Sequence, residues 1–122
     1  MTAAPKHIFI CEDDEGIIEV TKTILEEKGY IVETCSSCTQ IFEKLEKVKP
    51  DLLLIDLWMP QIGGAEITKK LKADPKTKKI PVIILSANKD TENVAKSVGA
   101  DDFIQKPFDI DVLEEKVEKF VS

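Results

Sequence analysis

Polar residues of different chemistry come directly after the short apolar runs of this sequence. Glu12 and Asp13 follow the run "HIFIC", and Asp56 follows "LLLI". Ser86 follows "IPVIIL", and Lys106 follows "DFIQ". Neighbouring carboxylates repel one another unless a cation joins them, and oxygen ligands without a nearby histidine favour a hard ion such as Mg²⁺. The pattern therefore predicts a metal site that also binds a phosphoryl group through the metal.

The acidic segment 12–15, "EDDE", also has a simpler interpretation as the start of a helix. Acidic side chains in a first helical turn interact favourably with the helix dipole. This accounts for Asp14 and Glu15, but it does not explain the polar residues that follow the other apolar runs. An ionised acid among aliphatic residues is costly without compensation, so we expect Asp56 where a strand emerges into a crevice.

Apolar runs alternate along the chain with segments of helical periodicity. The runs predict strands at 7–11, 30–35, 51–55, 80–85 and 102–105. Between and after them, apolar residues recur at helical spacing. The first four predicted helices end near Gly29, Pro50, Asp74 and Gly99. This alternation is typical of a parallel sheet with helices on both faces, so we predict a five-stranded, doubly wound α/β domain. Such sheets bind ligands at the carboxyl ends of their strands, where the polar residues would gather.

The composition indicates one globular domain without a membrane span or a nucleic-acid surface. The 122 residues are 43% hydrophobic and 33% charged, with a net charge of −6. No apolar run reaches the roughly 18 residues of a membrane helix, and the first residues lack the layout of a secretion signal. Lysines alternate with glutamates instead of forming a stripe for phosphate contacts. We therefore expect a cytoplasmic single domain over residues 1–122, with a core of 6–121 and no output domain.

Four motifs of this chain occur in the order known from one protein family. They are "FICEDDE", "LLLIDLWMPQIGG", "IPVIILSA" and "GADDFIQKPF". Over nearly its whole length the chain resembles the receiver domain of bacterial response regulators in two-component signalling. The resemblance implies a flavodoxin-like fold with strand order 2-1-3-4-5 and five helices. It also implies a phosphoprotein that switches a signal, with self-catalysed phosphoryl transfer, and not an enzyme.

The resemblance assigns metal-binding roles to the matching positions. Asp13 and Asp56 would be direct ligands of Mg²⁺, with Mn²⁺ as an alternative ion. The backbone carbonyl of Trp58 would complete the protein ligands, and Glu12 would act through a water molecule.

The resemblance also assigns the phosphoryl chemistry and the switch. Asp56 would be the phosphoacceptor, Lys106 would pair with the phosphoryl charge, and Ser86 would hydrogen-bond a phosphoryl oxygen. After phosphorylation Ser86 would move inward and Phe103, at the aromatic switch position, would follow it. The bond between Lys106 and Pro107 would be cis, a form almost confined to proline.

Trp58 is an unusual residue two positions after the proposed acceptor. Its indole could shield an acyl phosphate from water and lengthen its lifetime, or it could only pack against the loop. A comparison of phosphoryl half-lives between the wild type and Trp58→Ala separates these interpretations.

Other functions are consistent with single features of the sequence. Cys35 and Cys38 have the spacing of a redox CxxC motif, although the aromatic residue and the proline usual in such motifs are missing. An aspartate-nucleophile phosphatase would need a second acid where Trp58 stands. His7, the only histidine, could accept a phosphoryl group, but a histidine at the start of a strand is more often structural.

The resemblance leaves two functions of different class open. The domain could be a switch that binds a target protein, or a relay that passes its phosphoryl group to a histidine phosphotransfer protein. Either would receive the group from a sensor histidine kinase or a phosphotransfer protein. The kinase would dock on the first helix near Gly16, Ile17, Val20 and Thr21. The cognate kinase, the target and the oligomeric state, a monomer or a phosphorylation-dependent dimer, are not fixed by the sequence.

Overall fold

The computed structural model describes residues 5–35, 41–57 and 63–121. Within them, strands and helices alternate along the chain. They are β1 (His7–Cys11), α1 (Glu15–Glu27), β2 (Ile31–Cys35), α2 (Ile41–Lys47), β3 (Leu52–Asp56), α3 (Gly64–Ala73), β4 (Val82–Ser86), α4 (Thr91–Val98), β5 (Asp102–Gln105) and α5 (Ile110–Val121). All strand pairs are parallel, and the order across the sheet is β2-β1-β3-β4-β5. The predicted fold class and strand order are confirmed.

The strands lie within two residues of their predicted positions, and the differences have local causes. Strand β4 begins at Val82, although the apolar run begins at Ile80. Pro81 has no amide hydrogen to donate, so it contributes only its carbonyl, which accepts a bond from the amide of Leu53 at 2.9 Å. At the carboxyl ends of β3 and β4, Asp56 and Ser86 are the last residues of the strands. The sequence pattern predicts each of them directly after its strand.

The sheet separates two hydrophobic clusters, one on each face. One cluster joins the sheet to α2, α3 and α4 and includes Ile41, Ile67 and Ala95. The other joins it to α1 and α5 and includes Leu25 and Leu113. Strands β3 and β4 are buried along their whole length, as their nearly uninterrupted apolar sequences predict for strands covered on both faces.

Ordinary capping interactions are found at the start of α1 and at the end of α4. The side chain of Asp14 caps α1 by accepting a hydrogen bond from the amide of Ile17 at 3.1 Å. Gly99, the predicted end of α4, has φ of +82° and adopts the left-handed conformation that favours glycine. Asp14 is thereby used at the helix start, as the simpler interpretation of "EDDE" predicts.

A lysine fixes the end of the sheet opposite to the polar strand ends. The Lys72 ammonium donates to the Asp101 carboxylate at 2.7 Å and to the carbonyl oxygens of Ile80 and Lys78 at 2.9 and 3.2 Å. The same Asp101 oxygen accepts the amide of Val82 at 2.8 Å. These bonds connect α3 to the beginning of β4 and to the turn before β5.

None of the helices in residues 5–35, 41–57 and 63–121 combines the length and the apolar character of a membrane span.

Candidate functional site

The predicted acidic residues meet at the carboxyl ends of β1 and β3. These strands pair with Cys11 opposite Ile55, so the residues that follow each member of this pair, Glu12 and Asp56, are neighbours. One carboxylate oxygen from each of Glu12, Asp13 and Asp56 lies within 4.8 Å of the others. Glu12 and Asp56 are 1% and 6% exposed, whereas Asp13 is open to solvent. A cluster with two buried acids and one exposed acid requires positive charge.

Lys106 supplies part of that positive charge. Its ammonium lies 3.0 and 3.1 Å from the two carboxylate oxygens of Glu12 and 3.4 Å from an oxygen of Asp56. The amide of Lys106 donates to the carbonyl of Ser86 at 2.7 Å, which joins the end of β5 to the end of β4. The Lys106–Pro107 peptide is cis, as the resemblance implied.

The environment of Glu12 favours its protonated form in the absence of a metal ion. Burial raises the pKa of Glu12 above the usual 4.5, the hydrogen bond from Lys106 opposes this increase, and the charge of Asp56 adds to it. Because desolvation is the largest effect, the lysine alone does not compensate the acidic cluster. A divalent cation placed between the carboxylates would complete the compensation.

The raised pKa of Glu12 predicts how stability depends on pH. The folded protein holds this proton more tightly than the unfolded chain, so its stabilising effect is complete below pH 4.5 and is lost as the pH rises through the folded pKa. In metal-free buffer we therefore expect Glu12→Gln to gain stability relative to the wild type as the pH rises above 4.5. Urea unfolding across this range measures the difference.

Two comparisons make this pH prediction specific. The variant Glu46→Gln removes the same charge from a solvent-exposed position outside the acidic cluster and serves as the control. A Glu12→Gln difference that stays flat, or falls as the pH rises, would contradict the assignment. Saturating Mg²⁺ should reduce the advantage of Glu12→Gln, because the ion stabilises the ionised carboxylate.

Ser86 lies beside this cluster at the end of β4. Its side chain is 1% exposed, and its hydroxyl oxygen accepts a hydrogen bond from the amide of Asn88 at 3.0 Å. Accepting this bond uses a lone pair, so the hydroxyl can still donate its hydrogen to a ligand. The carbonyl of Asn88 in turn accepts bonds from the amide and the hydroxyl of Thr91, which hold the β4–α4 loop against the first turn of α4.

Gly64 is a residue of the site region that the sequence analysis did not select. A Cβ atom at this position would lie 2.2 Å from the carbonyl oxygen of Asp56 and 2.9 Å from its carbonyl carbon. The amide of Gly64 donates to the carbonyl of Leu57 at 3.0 Å. The first residue of α3 therefore lies directly against the backbone of Asp56, and the paired glycines 63–64 were the sequence signal for this contact.

The remaining candidate residues lie elsewhere or outside the described residues. Trp58 and Cys38 fall outside the described residues, so the carbonyl ligand, the indole hypothesis and the CxxC alternative stay predictions. Cys35 is 4% exposed and ends β2. His7 lies at the opposite end of β1 from the acidic cluster, where its amide donates to Asp51 at 2.8 Å. Phe103 lies on the edge strand β5 with its side chain partly buried.

The donor set of this cluster fits a hard divalent ion. It offers oxygen atoms only, in the form of three carboxylates within 4.8 Å of one another. Mg²⁺ usually takes one or two protein carboxylates and completes its shell with water and phosphate oxygens. The exposed Asp13 leaves an open side through which water and a phosphoryl group could enter.

This five-stranded parallel α/β domain carries acids, a hydroxyl and a lysine at the carboxyl ends of its strands. The family model described as response regulator receiver domain matches residues 8–118 of this chain. The chain therefore belongs to the response regulator receiver domain family. Receiver domains are signalling switches of two-component systems and are generally not classed as enzymes.

Named relatives agree with this assignment. The transcriptional regulatory protein CrdR of Helicobacter pylori is 35% identical over 119 residues, which are 96% of this chain and 55% of CrdR. Other curated relatives are matched over smaller shares, 16% of the protein RcaC of Microchaete diplosiphon and 47% of MtrA of Mycobacterium bovis. The chain thus spans about half the length, or less, of these relatives.

Two solved receiver domains of histidine kinases have the same fold. One, from Syntrophus aciditrophicus, is 36% identical and covers 95% of this chain and 89% of its own, with a TM-score of 0.87. The other is that of sensor histidine kinase PA1611 from Pseudomonas aeruginosa, 26% identical, with coverages of 97% and 98% and a TM-score of 0.87. The PA1611 domain has a magnesium ion coordinated in its active-site cleft.

Proposed function

We propose that this domain accepts a phosphoryl group on Asp56 in a Mg²⁺-dependent reaction and thereby changes its partner-binding face. The supporting observation is the position of the Asp56 carboxylate. It lies at the end of β3, within 4.8 Å of the carboxylates of Glu12 and Asp13 and 3.4 Å from the Lys106 ammonium. The donor would be a sensor histidine kinase or a histidine phosphotransfer protein.

The chain's own residues divide the work of this transfer. An oxygen of Asp56 attacks phosphorus and forms an acyl phosphate, while the bond from phosphorus to the donor's imidazole nitrogen breaks and the imidazole keeps the electron pair. Lys106 pairs with the charge of the transferred group, and the Ser86 hydroxyl donates to one of its oxygens. Phosphoryl transfer depends mainly on such positioning and neutralisation of charge.

Asp13, Asp56 and the carbonyl of Trp58 would hold the metal, with Glu12 acting through water. Mg²⁺, or Mn²⁺ in its place, supplies positive charge at the phosphoryl oxygens when bound. With a divalent ion bound, Lys106 would no longer be needed as the partner of Glu12. The ammonium could then turn fully toward the phosphoryl group.

A groove next to Lys106 supports the proposed docking of a phosphodonor protein. It has a volume of about 680 Å³, and α1 and the segment after β5 form its walls. Ile17, Val20 and Thr21 of α1 line it, opposite Pro107 and Phe108. Val20 is 56% exposed, so the groove presents apolar surface that a partner could cover.

A phosphorelay is the second candidate function. Two of the similar solved structures are receiver domains of histidine kinases. If this domain is a relay, its acyl phosphate should return rapidly to a histidine of a phosphotransfer protein. Measured back-transfer supports the relay, whereas a stable acyl phosphate in the presence of that protein supports the switch.

The Mg²⁺ requirement tests the proposed function. Incubation of the chain with acetyl phosphate should add one phosphoryl group, measured by intact mass, and EDTA should prevent the addition. Asp13→Asn should slow incorporation at least about tenfold at limiting Mg²⁺, because it removes a charged ligand. Asp14→Asn is the matched control, since asparagine also caps a helix and should leave the rate nearly unchanged. Equal rates with Mg²⁺ and EDTA would contradict the proposal.

A further inference from the structure

The side chain of Lys116 on α5 makes several contacts with Phe103 and its surroundings. Its ammonium lies 2.8 Å from a carboxylate oxygen of Asp102 and 2.8 Å from the carbonyl oxygen of Phe103. The same ammonium lies 4.9 Å from the centroid of the Phe103 ring, within the range of a cation–π interaction. One cation therefore contacts both the backbone and the ring of this residue.

These contacts cross the edge of the sheet. Phe103 packs with the cluster on the α2, α3 and α4 face, whereas the neighbouring Val117 and Leu113 of α5 pack in the cluster on the other face. Because β5 is an edge strand, the long side chain of Lys116 can extend from one face past the strand to the other. The carbonyl of Phe103 at this edge accepts its bond from Lys116.

Asp102 completes the arrangement. Its Oδ1 atom accepts bonds from both the Lys116 ammonium and the amide of Phe103, each at 2.8 Å. The side chains of Lys116 and Asp102 are 29% and 16% exposed, so this ion pair is partly shielded from solvent. The ammonium is thereby fixed at the ring face, and a movement of the ring away from it would lose the cation–π contact.

We propose that Lys116 is a positioning residue that stabilises the present orientation of the Phe103 ring and so opposes the change that phosphorylation drives. This inference rests on the proposed function and on the aromatic switch role that the family resemblance implies for Phe103. Phenylalanine has no hydroxyl group with which to form a hydrogen bond in either orientation. The face of its ring is therefore the feature by which a polar group can fix it, and Lys116 occupies that face.

Removal of the charge should shift the ring in the unphosphorylated protein. The five phenylalanines of the chain can be labelled with 4-fluorophenylalanine for ¹⁹F NMR, and Phe103→Leu identifies the signal of position 103. In wild type, beryllofluoride with Mg²⁺ should move this signal to a new position. In Lys116→Met without beryllofluoride, we expect the signal to lie partway toward that position. Phosphoryl incorporation from acetyl phosphate should be about threefold faster or more.

Two variants separate the role of Lys116 from a general effect of lost charge. Lys119→Met changes a lysine of the same helix, whose ammonium is 5.7 Å from the ring of Phe120, and should leave the Phe103 signal in place. Lys116→Arg keeps a cation above the ring and should behave like the wild type. This variant can be measured even if Lys116→Met folds poorly. An unmoved signal in Lys116→Met, or an equal shift in Lys119→Met, overturns the inference.

The same measurements distinguish failure of this inference from failure of the proposed function. If wild type takes up no phosphoryl group and its spectrum does not respond to beryllofluoride, the proposed function fails. If wild type responds but Lys116→Met keeps the wild-type signal and rate, only the role of Lys116 fails.

Discussion

Asp56→Asn is expected to take up no phosphoryl group from acetyl phosphate under conditions in which wild type is fully modified. The amide that replaces the carboxylate lacks the anionic oxygen needed to attack phosphorus, so the loss should be complete and not partial. Intact mass measures the incorporation directly. The fluorescence of Trp58, the only tryptophan, gives a second measurement. It should change on addition of Mg²⁺ and again with phosphodonor in wild type, and the second change should be missing in Asp56→Asn.

The exposed variant Asp109→Asn is the control for the acceptor assignment. It removes the same charge from the loop before α5, at a residue outside the acidic cluster, and should incorporate phosphate like wild type. Acid and hydroxylamine lability of the modification identify an acyl phosphate. If Asp56→Asn were modified to the same extent as wild type, another residue would be the acceptor and the proposed roles of Lys106 and Ser86 would fail with it.

Gly64→Ala is expected to destabilise the fold strongly, although it adds only one methyl group. The added carbon would lie 2.2 Å from the carbonyl oxygen of Asp56. This oxygen belongs to the backbone of a central strand, so displacing it costs considerable free energy. We expect a loss of about 3 kcal/mol or more in the free energy of unfolding, measured with urea. The surviving folded fraction should also incorporate phosphate more slowly, because the displaced backbone belongs to the acceptor residue.

The adjacent glycine is a matched control for this steric argument. A Cβ at Gly63 would lie 3.3 Å from the carbonyl oxygen of Leu57, which requires a shift of a few tenths of an ångström, and its φ of −75° suits any residue. Gly63→Ala should therefore change the free energy of unfolding by no more than about 1 kcal/mol. Similar losses for both variants would mean that helix α3 does not approach β3 as closely as described.

The sequence was sufficient to predict the sheet and most of the polar residues at the carboxyl ends of its strands. Runs such as residues 52–55 are apolar at every position, as expected for a strand covered on both faces. Since parallel strands present their carboxyl ends on one side, Glu12, Asp56, Ser86 and Lys106 could be placed together without coordinates.

What could not be predicted depends on distances between elements that are far apart in the chain. The need for glycine at position 64 arises only when the start of α3 is placed against Asp56. The contact of Lys116 with Phe103 depends on how α5 lies along the edge of β5, which no periodicity specifies. The bond between Lys106 and Glu12 likewise joins residues 94 positions apart. Burial of Glu12 beside a lysine was therefore visible only in the folded chain.

The lysine at position 72 has a consequence for how this domain can diversify. Its bonds to Asp101, Ile80 and Lys78 fasten the sheet at the end remote from the acidic cluster. The contacts of Lys72 that stabilise the fold and the residues proposed to respond to a signal thus lie at opposite ends of one sheet. Substitutions near the acidic cluster could therefore change the lifetime of the phosphorylated state or the choice of partner, while the contacts of Lys72 continue to stabilise the fold.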